Sequence, residues 1–182
     1  MIILNAALED AEELLNIYAP YVSDTAVSFE YDIPDLEEFR GRLVSISAHY
    51  PYLKAVEGEH IVGYAYASAF KNRSAYDWSV ESTIYLRQAA RGKGIGRELY
   101  SALEAELRHR GFLNMNACIA VPISEYDPFL TDASRSFHLK QGFSEVGIFH
   151  KSGYKFGRWY DMVWMEKLLG DHFESISRPL YL

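Results

Sequence analysis

Apolar residues recur at helical spacing in several stretches of the chain. The most regular stretch covers residues 98–110, where leucines stand four residues apart, and Gly111 follows as a helix stop. Residues 10–13, Asp-Ala-Glu-Glu, have the spacing of a capping box, which predicts that an earlier helix opens there. Residues 34–35, Pro-Asp, are a pair typical of helix starts. A short fourth helix is predicted over residues 134–141.

Shorter segments rich in aliphatic and aromatic residues alternate with these helices and predict strands. Residues 57–59, Glu-Gly-Glu, supply the turn of a predicted antiparallel hairpin. Residues 27–30 lie between the first two helices and are expected to form a loop. The predicted strands are residues 2–4, 53–56, 60–70, 77–86, 114–121, 143–150 and 159–167. Strands and helices in this order predict a mixed α/β fold.

The composition fits one globular domain, because 49% of the 182 residues are hydrophobic and can build a substantial core. We assign residues 1–170 to this domain and residues 171–182 to a peripheral tail. The net charge of -7 disfavours nucleic acid or an anionic membrane as a partner. The only cysteine, Cys118, allows neither an internal disulfide nor a cysteine-based zinc site, and no metal is expected. The start lacks a basic segment and no apolar stretch approaches bilayer-spanning length, so a soluble cytoplasmic protein is expected.

A glycine-rich segment joins the strand over residues 77–86 to the most regular helix. It consists of Arg91, Gly92, Lys93, Gly94, Ile95 and Gly96. Glycines let successive N–H groups converge on phosphate oxygens at the positive end of the following helix, and the two cations add charge. The spacing matches neither the ATP-binding P-loop nor the dinucleotide fingerprint, so neither ligand is favoured. The alternative is a tight turn that needs glycine for its geometry alone.

Glu81 is a charged residue in the middle of a predicted strand. Simple alternation places it on the face opposite Val80 and Ser82. A carboxylate is unusual in the middle of a strand, and a role in proton transfer would explain why Glu81 stands there. The alternative is an ion pair with a nearby base such as Arg73 or Lys155.

Several segments of the chain resemble a known family. The glycine-rich segment is similar to the Arg-x-x-Gly-x-Gly acetyl-CoA signature of GNAT acetyltransferases. The remaining segments resemble the phosphinothricin acetyltransferase branch: residues 27–30, residues 62–67, residues 73–85 and the spaced residues Lys155, Gly157, Trp159 and Asp161. The resemblance covers residues 1–168 and implies the GNAT fold, a mixed central β-sheet with a splayed strand pair flanked by helices.

The resemblance also implies an activity, the transfer of an acetyl group from acetyl-CoA to the primary amine of a small molecule. Acceptors in that branch are amino acids with a polar head, such as phosphinothricin, methionine sulfone and methionine sulfoximine. The glycine-rich segment would hold the pyrophosphate. The pantetheine arm would pair with Ile84, Tyr85 and Leu86, and a backbone N–H of Tyr85 or Leu86 is the expected oxyanion donor.

Two residues of the predicted fourth helix region belong to the cofactor side by resemblance. Thr131 stands where the family usually has asparagine, which leaves only a hydroxyl for a bond to the pantetheine arm. Ser134 matches a further family position in that region.

Acetyl transfer requires a neutral amine, so a base must accept the amine proton. The resembled family has a glutamate at the position of Glu81, and partial burial would raise its pKa toward useful values. The tyrosine that many GNAT enzymes use to protonate the departing thiolate has no counterpart here. His138 or Ser134 could serve instead, and the alternative for His138 is a packed side chain.

The resemblance assigns the acceptor side to a third set of residues: Phe29, Glu30, Arg73, Tyr76 and Trp78. The planar fork of an arginine suits a carboxylate, since it donates two hydrogen bonds at once. The alternatives are a surface loop for the arginine and core packing for the aromatic residues. Residues 123–130 look like an insertion beside the cleft that could reshape acceptor specificity. The family places part of its dimer contact at the last hairpin, so a homodimer is expected.

Two other functions stay open. An acetyltransferase for a protein or peptide amine needs an open groove, which the aromatic-rich acceptor segment disfavours. A non-catalytic acetyl-CoA-binding module would keep the glycine-rich segment without the base, and Glu81 argues against it. Turnover separates these functions, because an enzyme releases free CoA and a binding module does not.

Overall fold

The computed structural model describes residues 1–174 and 176–181, and these form two compact units. The first unit contains residues 1–17, 34–115 and the described part of 168–182. The second unit contains residues 18–33 and 116–167. In the part of the chain that the structure describes, no helix is long and apolar enough to cross a membrane.

Antiparallel strands form the sheet of the first unit, in the order β1-β2-β3-β4. The strands are β1 (Ile2–Asn5), β2 (Tyr52–Glu57), β3 (His60–Ala69) and β4 (Ser79–Leu86). The helices are α1 (Ala11–Ser23), which starts in this unit and ends in the second, α2 (Leu36–Ser47) and α3 (Ile95–Arg110). The leucines of α3 at positions 99, 103 and 107 are fully buried, which confirms that this face of the helix belongs to the core.

The second unit is built from β5 (Asn114–Val121), α4 (Ala133–Lys140), β6 (Ser144–Lys155) and β7 (Arg158–Leu168). Its strand order is β5-β7-β6, and β6 and β7 form an antiparallel hairpin. Phe156 and Gly157 close the hairpin with φ angles of 51° and 72°. Two consecutive positive φ angles define a type I′ turn, whose twist suits a two-residue hairpin. The predicted mixed α/β class is confirmed.

Most predicted helix and strand positions agree with the structure. Asp35 caps α2, since its Oδ1 accepts the Glu38 N–H at 2.8 Å. Gly111 ends α3 with a φ of 87°, as predicted from the sequence. The largest differences are at α3, which already starts at Ile95, and at β6, which continues beyond residue 150 to Lys155; the other bounds agree within two residues.

The capping box predicted at the start of α1 is wrong. Asp10 instead forms an ion pair with Lys54 at 2.6 Å. Glu13 accepts the Ile61 N–H at 3.0 Å and a hydrogen bond from Arg87 Nη2 at 2.7 Å. Both carboxylates therefore tie the start of α1 to the sheet of the first unit, and Asp10 also accepts the Ala7 N–H at 2.7 Å.

The described part of the C-terminal tail packs against the first unit. The Ser177 carbonyl accepts the Trp78 indole N–H at 2.9 Å, and the Leu180 N–H donates to the Arg110 carbonyl at 2.8 Å. The Tyr181 ring lies edge-on to its aromatic neighbours in the first unit. The tail is thus attached both at Trp78, directly before β4, and at Arg110, the last residue of α3.

Candidate functional site

The glycine-rich segment forms the turn between β4 and α3. Gly92 and Gly94 have φ angles of 75° and 84°, which side chains rarely adopt, so glycine is required at these two positions. Gly96 lies buried inside the first turn of α3 with an ordinary φ angle. The expectation of positive φ angles is therefore confirmed for the turn and not for the helical glycine.

The turn has the properties of an anion site. Arg91 and Lys93 are exposed, and α3 directs its N-terminal N–H groups toward the turn. A Cβ atom added at Gly92 would meet nothing within 4 Å, so the space above the backbone is open. Exposed cations, positive φ angles and a helix N-terminus fit a pyrophosphate.

β4 leads directly into this turn and carries the predicted base. Glu81 lies opposite Ser68 of β3 and is partly buried. Burial raises the pKa of the Glu81 carboxyl, and the Lys71 ammonium opposes this rise. The cation that acts on Glu81 is therefore Lys71, which the sequence analysis did not consider as a partner.

The pantetheine-side residues predicted on β4 follow Glu81 on the same strand. Ile84, Tyr85 and Leu86 are partly buried and pair with β3. A Cβ atom at Gly63 of β3 would collide with Leu86 Cδ2 and lie 3.0 Å from the Tyr85 carbonyl. The glycine on β3 thus allows the two strands to approach closely at this point.

The acceptor-side residues before β4 lie in an exposed connection. Arg73 is exposed and precedes a single 3₁₀ turn, which agrees with the alternative of a surface loop. Tyr76 is 41% exposed and lies edge-on to Phe70. Trp78 is half-buried, and its indole N–H is occupied by the carbonyl of Ser177. The first unit therefore contains these three residues, the predicted base Glu81 and the predicted anion site.

Phe29 and Glu30 belong to the second unit, in the predicted loop after α1. The Phe29 ring lies 6.0 Å from the Tyr160 ring and is packed onto Gly153 of β6. The Ser28 hydroxyl bonds the Tyr18 hydroxyl at 2.7 Å and accepts the Glu30 N–H at 3.3 Å. The loop is therefore held in one conformation by side chains of its own unit.

Thr131, Ser134 and His138 also belong to the second unit, at and inside α4. Thr131 is exposed and Ser134 is partly buried. His138 is only 3% exposed, and its Nδ1 lies 2.7 Å from the Ser134 carbonyl. Burial lowers the pKa of His138 to about 4, against the opposing effect of that hydrogen bond. The imidazole is therefore uncharged at neutral pH and has no proton to spare, which favours the packed-histidine alternative.

The insertion at residues 123–130 is an ordered loop of the second unit. Asp127 Oδ1 accepts the Phe129 N–H at 2.9 Å and the Tyr160 hydroxyl at 3.3 Å. The Phe129 ring stacks on Phe156 with centroids 4.3 Å apart, and its carbonyl accepts the Ala26 N–H at 3.0 Å. The insertion is thus bonded to the loop that carries Phe29.

Sequence reasoning missed the role of Lys155. Its side chain is 1% exposed, and its ammonium donates to main-chain carbonyls of the same unit. This leaves no donor for the ion pair with Glu81 that the sequence left open. Nothing in the sequence distinguishes this lysine from a surface one, apart from its place beside a positive-φ hairpin turn. Among residues 1–174 and 176–181, no group of three His, Cys, Asp or Glu side chains could hold a metal ion.

Comparisons with known proteins identify the family of this chain. Residues 3–164 match the family described as acetyltransferase (GNAT) domain. The chain is 37% identical over 169 residues to a phosphinothricin N-acetyltransferase of Streptomyces coelicolor, which covers 88% of this chain and 92% of that one. It is 32% identical over 123 residues to an L-methionine sulfoximine/L-methionine sulfone acetyltransferase of Salmonella typhimurium, which covers 68% of this chain and 67% of that one.

A solved structure gives the same result. The GNAT superfamily phosphinothricin acetyltransferase of Sinorhizobium meliloti, in complex with acetyl-CoA, has a TM-score of 0.86 and 34% identity and covers 98% of this chain and 92% of that one. The fold and the relatives together define an acyl-CoA-dependent acetyltransferase. The chain belongs to the GNAT acetyltransferase family. The predicted GNAT fold and the predicted enzyme class are confirmed.

Proposed function

We propose that this acetyltransferase moves an acetyl group from acetyl-CoA to the primary amine of a small amino acid analogue of the phosphinothricin or methionine sulfone/sulfoximine type. The names of the relatives support this class of acceptor. The observation that carries the proposal is the partly buried Glu81 with its raised pKa, on the strand that leads into the anion site.

Acetyl-CoA would supply an activated thioester. The exposed turn from Arg91 to Gly96 suits its pyrophosphate because of its charge and its converging N–H groups. Ile84, Tyr85 and Leu86 would hold the pantetheine arm, and Thr131 and Ser134 are assigned to the cofactor by resemblance to the family. A backbone N–H of Tyr85 or Leu86 would stabilise the negative charge that develops on the thioester oxygen.

Glu81 would act as the general base. Its carboxylate accepts one proton from the substrate ammonium, directly or through one water, and the neutral nitrogen then attacks the thioester carbon. Burial of the carboxylate increases its proton affinity, so it is better matched to this task than an exposed glutamate. We assign no proton transfer to His138, because its imidazole is uncharged at neutral pH.

By resemblance to the family, the acceptor would be bound by Phe29, Glu30, Arg73, Tyr76 and Trp78. The exposed guanidinium of Arg73 is available for a carboxylate of the substrate. The insertion at residues 123–130 supports the Phe29 loop and would adapt the acceptor specificity of this enzyme.

We also infer a cytoplasmic homodimer. The dimer is supported by exposed apolar side chains on β6 and β7, namely Val146, Ile148, Phe149, Tyr154 and Trp159. Sedimentation velocity would measure the oligomeric state.

The acceptor is tested by CoA release from acetyl-CoA, detected through its thiol. The panel contains methionine sulfone, methionine sulfoximine, phosphinothricin, natural amino acids, polyamines and short peptides. Turnover with the amino acid analogues is expected. Turnover with peptides alone would support a protein acetyltransferase, and acetyl-CoA binding without any turnover would contradict the proposed function.

The base is tested by Glu81→Gln, which keeps the shape of the side chain and removes its proton acceptor. We expect kcat at neutral pH to fall by about 10²–10⁴-fold, the usual contribution of a general base, with unchanged acetyl-CoA affinity. Glu57→Gln, at the exposed end of β2, is the matched control and should leave kcat unchanged. An unchanged kcat in Glu81→Gln would remove this residue from the mechanism.

A further inference from the structure

The loop after α1 is built around a buried cation. Lys155 is the last residue of β6, and its Nζ donates to the carbonyl oxygens of Val22 at 2.7 Å, Thr25 at 2.9 Å and Ser28 at 2.7 Å. An ammonium has three protons, so each proton has one of these oxygens as its acceptor. The side chain is 1% exposed, which means that water does not replace these bonds.

Electrostatics explain why a lysine stands at this position. Val22 lies in the last turn of α1, where carbonyl groups lack helical partners and the helix dipole is negative. α1 has no basic residue of its own in that turn. Lys155 supplies the missing cation from a distant strand, and the carbonyls of Thr25 and Ser28 complete its coordination. Without the ammonium, three buried carbonyls would lie together with no donor between them.

The coordinated carbonyls lie directly before the acceptor-side residues. Ser28 is the neighbour of Phe29, and the Phe29 ring is confined by Gly153 and Tyr160. The Glu30 carboxylate acts electrostatically on Lys155 from the same loop. The conformation of this short segment therefore depends on the main-chain bonds to Lys155 as well as on ring packing.

We propose that Lys155 is a positioning residue for the acceptor: it fixes the loop after α1 and thereby the places of Phe29 and Glu30. The inference rests on the proposed function, which assigns these two residues to the acceptor side. It predicts that loss of the ammonium weakens acceptor binding selectively, because the anion site for acetyl-CoA and Glu81 lie on other elements.

The test compares Lys155→Met, which keeps the apolar stem and removes the donors, with Lys155→Arg, whose planar fork does not match three converging oxygens. Lys167→Met is the matched control. Lys167 Nζ also donates to a main-chain carbonyl, but this is the carbonyl of Gln141, elsewhere in the second unit. Acceptor KM, kcat, acetyl-CoA Kd and hydrogen exchange of residues 22–31 are measured for each.

Lys155→Met should raise the acceptor KM by about tenfold or more, the scale expected when the displaced loop loses one hydrogen bond to the charged acceptor. The acetyl-CoA Kd should stay within about twofold, and exchange in residues 22–31 should accelerate by at least about tenfold. Lys155→Arg should give a smaller change in the same direction, and Lys167→Met should change neither quantity. Equal losses of acceptor and acetyl-CoA affinity, or an unchanged KM and exchange rate, would overturn the proposal.

The wild-type enzyme provides a test that needs no variant. Amides of residues 24–31 should exchange as slowly as those of the β6–β7 hairpin, and exchange at the rate of an unstructured peptide would refute the role of Lys155 even if its variants do not fold. The proposed function fails separately, since it is refuted when the wild-type enzyme acetylates none of the amino acid analogues while the exchange pattern is as expected.

Discussion

Gly153→Ala tests the packing that holds the acceptor loop. A Cβ atom at this position would lie 2.8 Å from Phe29 Cδ2 and closer still to Cε2 and Cζ. Carbon atoms in contact are about 3.5–4.0 Å apart, so the Phe29 ring must leave its place or the strand must shift. Gly147 offers a matched control, because it lies in the same strand, β6, and a Cβ atom there meets nothing within 4 Å.

The magnitude follows from two opposing effects. Overpacking costs about 1–3 kcal/mol, and replacing glycine by alanine stabilises by about 0.4–1 kcal/mol through the unfolded chain. Neither glycine has a positive φ angle, so backbone strain does not contribute. We expect a loss of about 1–2 kcal/mol for Gly153→Ala, or a decrease in Tm of about 2–8 °C for a chain of this length. Gly147→Ala should leave Tm unchanged or raise it slightly.

The assay is calorimetric Tm together with acceptor KM and acetyl-CoA Kd. Because the displaced ring is proposed to contact the acceptor, the acceptor KM should rise in Gly153→Ala while the acetyl-CoA Kd stays constant. Phe29→Leu in the Gly153→Ala background should recover part of the Tm, since it removes the ring atoms that collide. Equal behaviour of the two glycine variants would refute the reasoning, because only one of the two positions is crowded.

Three further predictions concern the rest of the chain. Gly94→Asp should weaken acetyl-CoA binding by about tenfold or more, because the added carboxylate repels the phosphates at the proposed anion site. Gly58→Asp, also at a positive φ angle, should leave this affinity unchanged. Calorimetric titration measures the acetyl-CoA Kd of both variants. The folded state resists protonation of His138, whose pKa is lowered to about 4, so stability should fall by up to about 3 kcal/mol as the pH decreases from 6.5 toward 4. His138→Gln should show less of this loss in urea unfolding curves and should retain its kcat at pH 7. Removal of residues 171–182 should lower Tm by several degrees, because it uncovers the Trp78 indole and the Arg110 carbonyl; an unchanged Tm would show that the tail contributes nothing to stability.

Features that depend on neighbouring residues could be read from the sequence. Helix and turn geometry depends on local sequence. It explains the leucines of α3, which stand four residues apart, the cap at Asp35 and the positive φ angles of Gly92 and Gly94. The capping box at the start of α1 was wrong for the opposite reason, since Asp10 and Glu13 pair with Lys54 and Arg87, which are distant in sequence. For His138 the sequence left two roles open, and only its burial favours one of them.

The acceptor side shows why the remaining features could not be predicted. The Tyr160 side chain contacts Phe29 through its ring and Asp127 through its hydroxyl, and these partners are far apart in sequence. The loop after α1 and the insertion at residues 123–130 therefore share one support, and the bond from Ala26 to Phe129 joins them again. A change in the insertion can reach Phe29 through Tyr160 without touching the acceptor. Specificity in this enzyme is thus expected to depend on residues that support the acceptor loop as much as on residues that contact the amine.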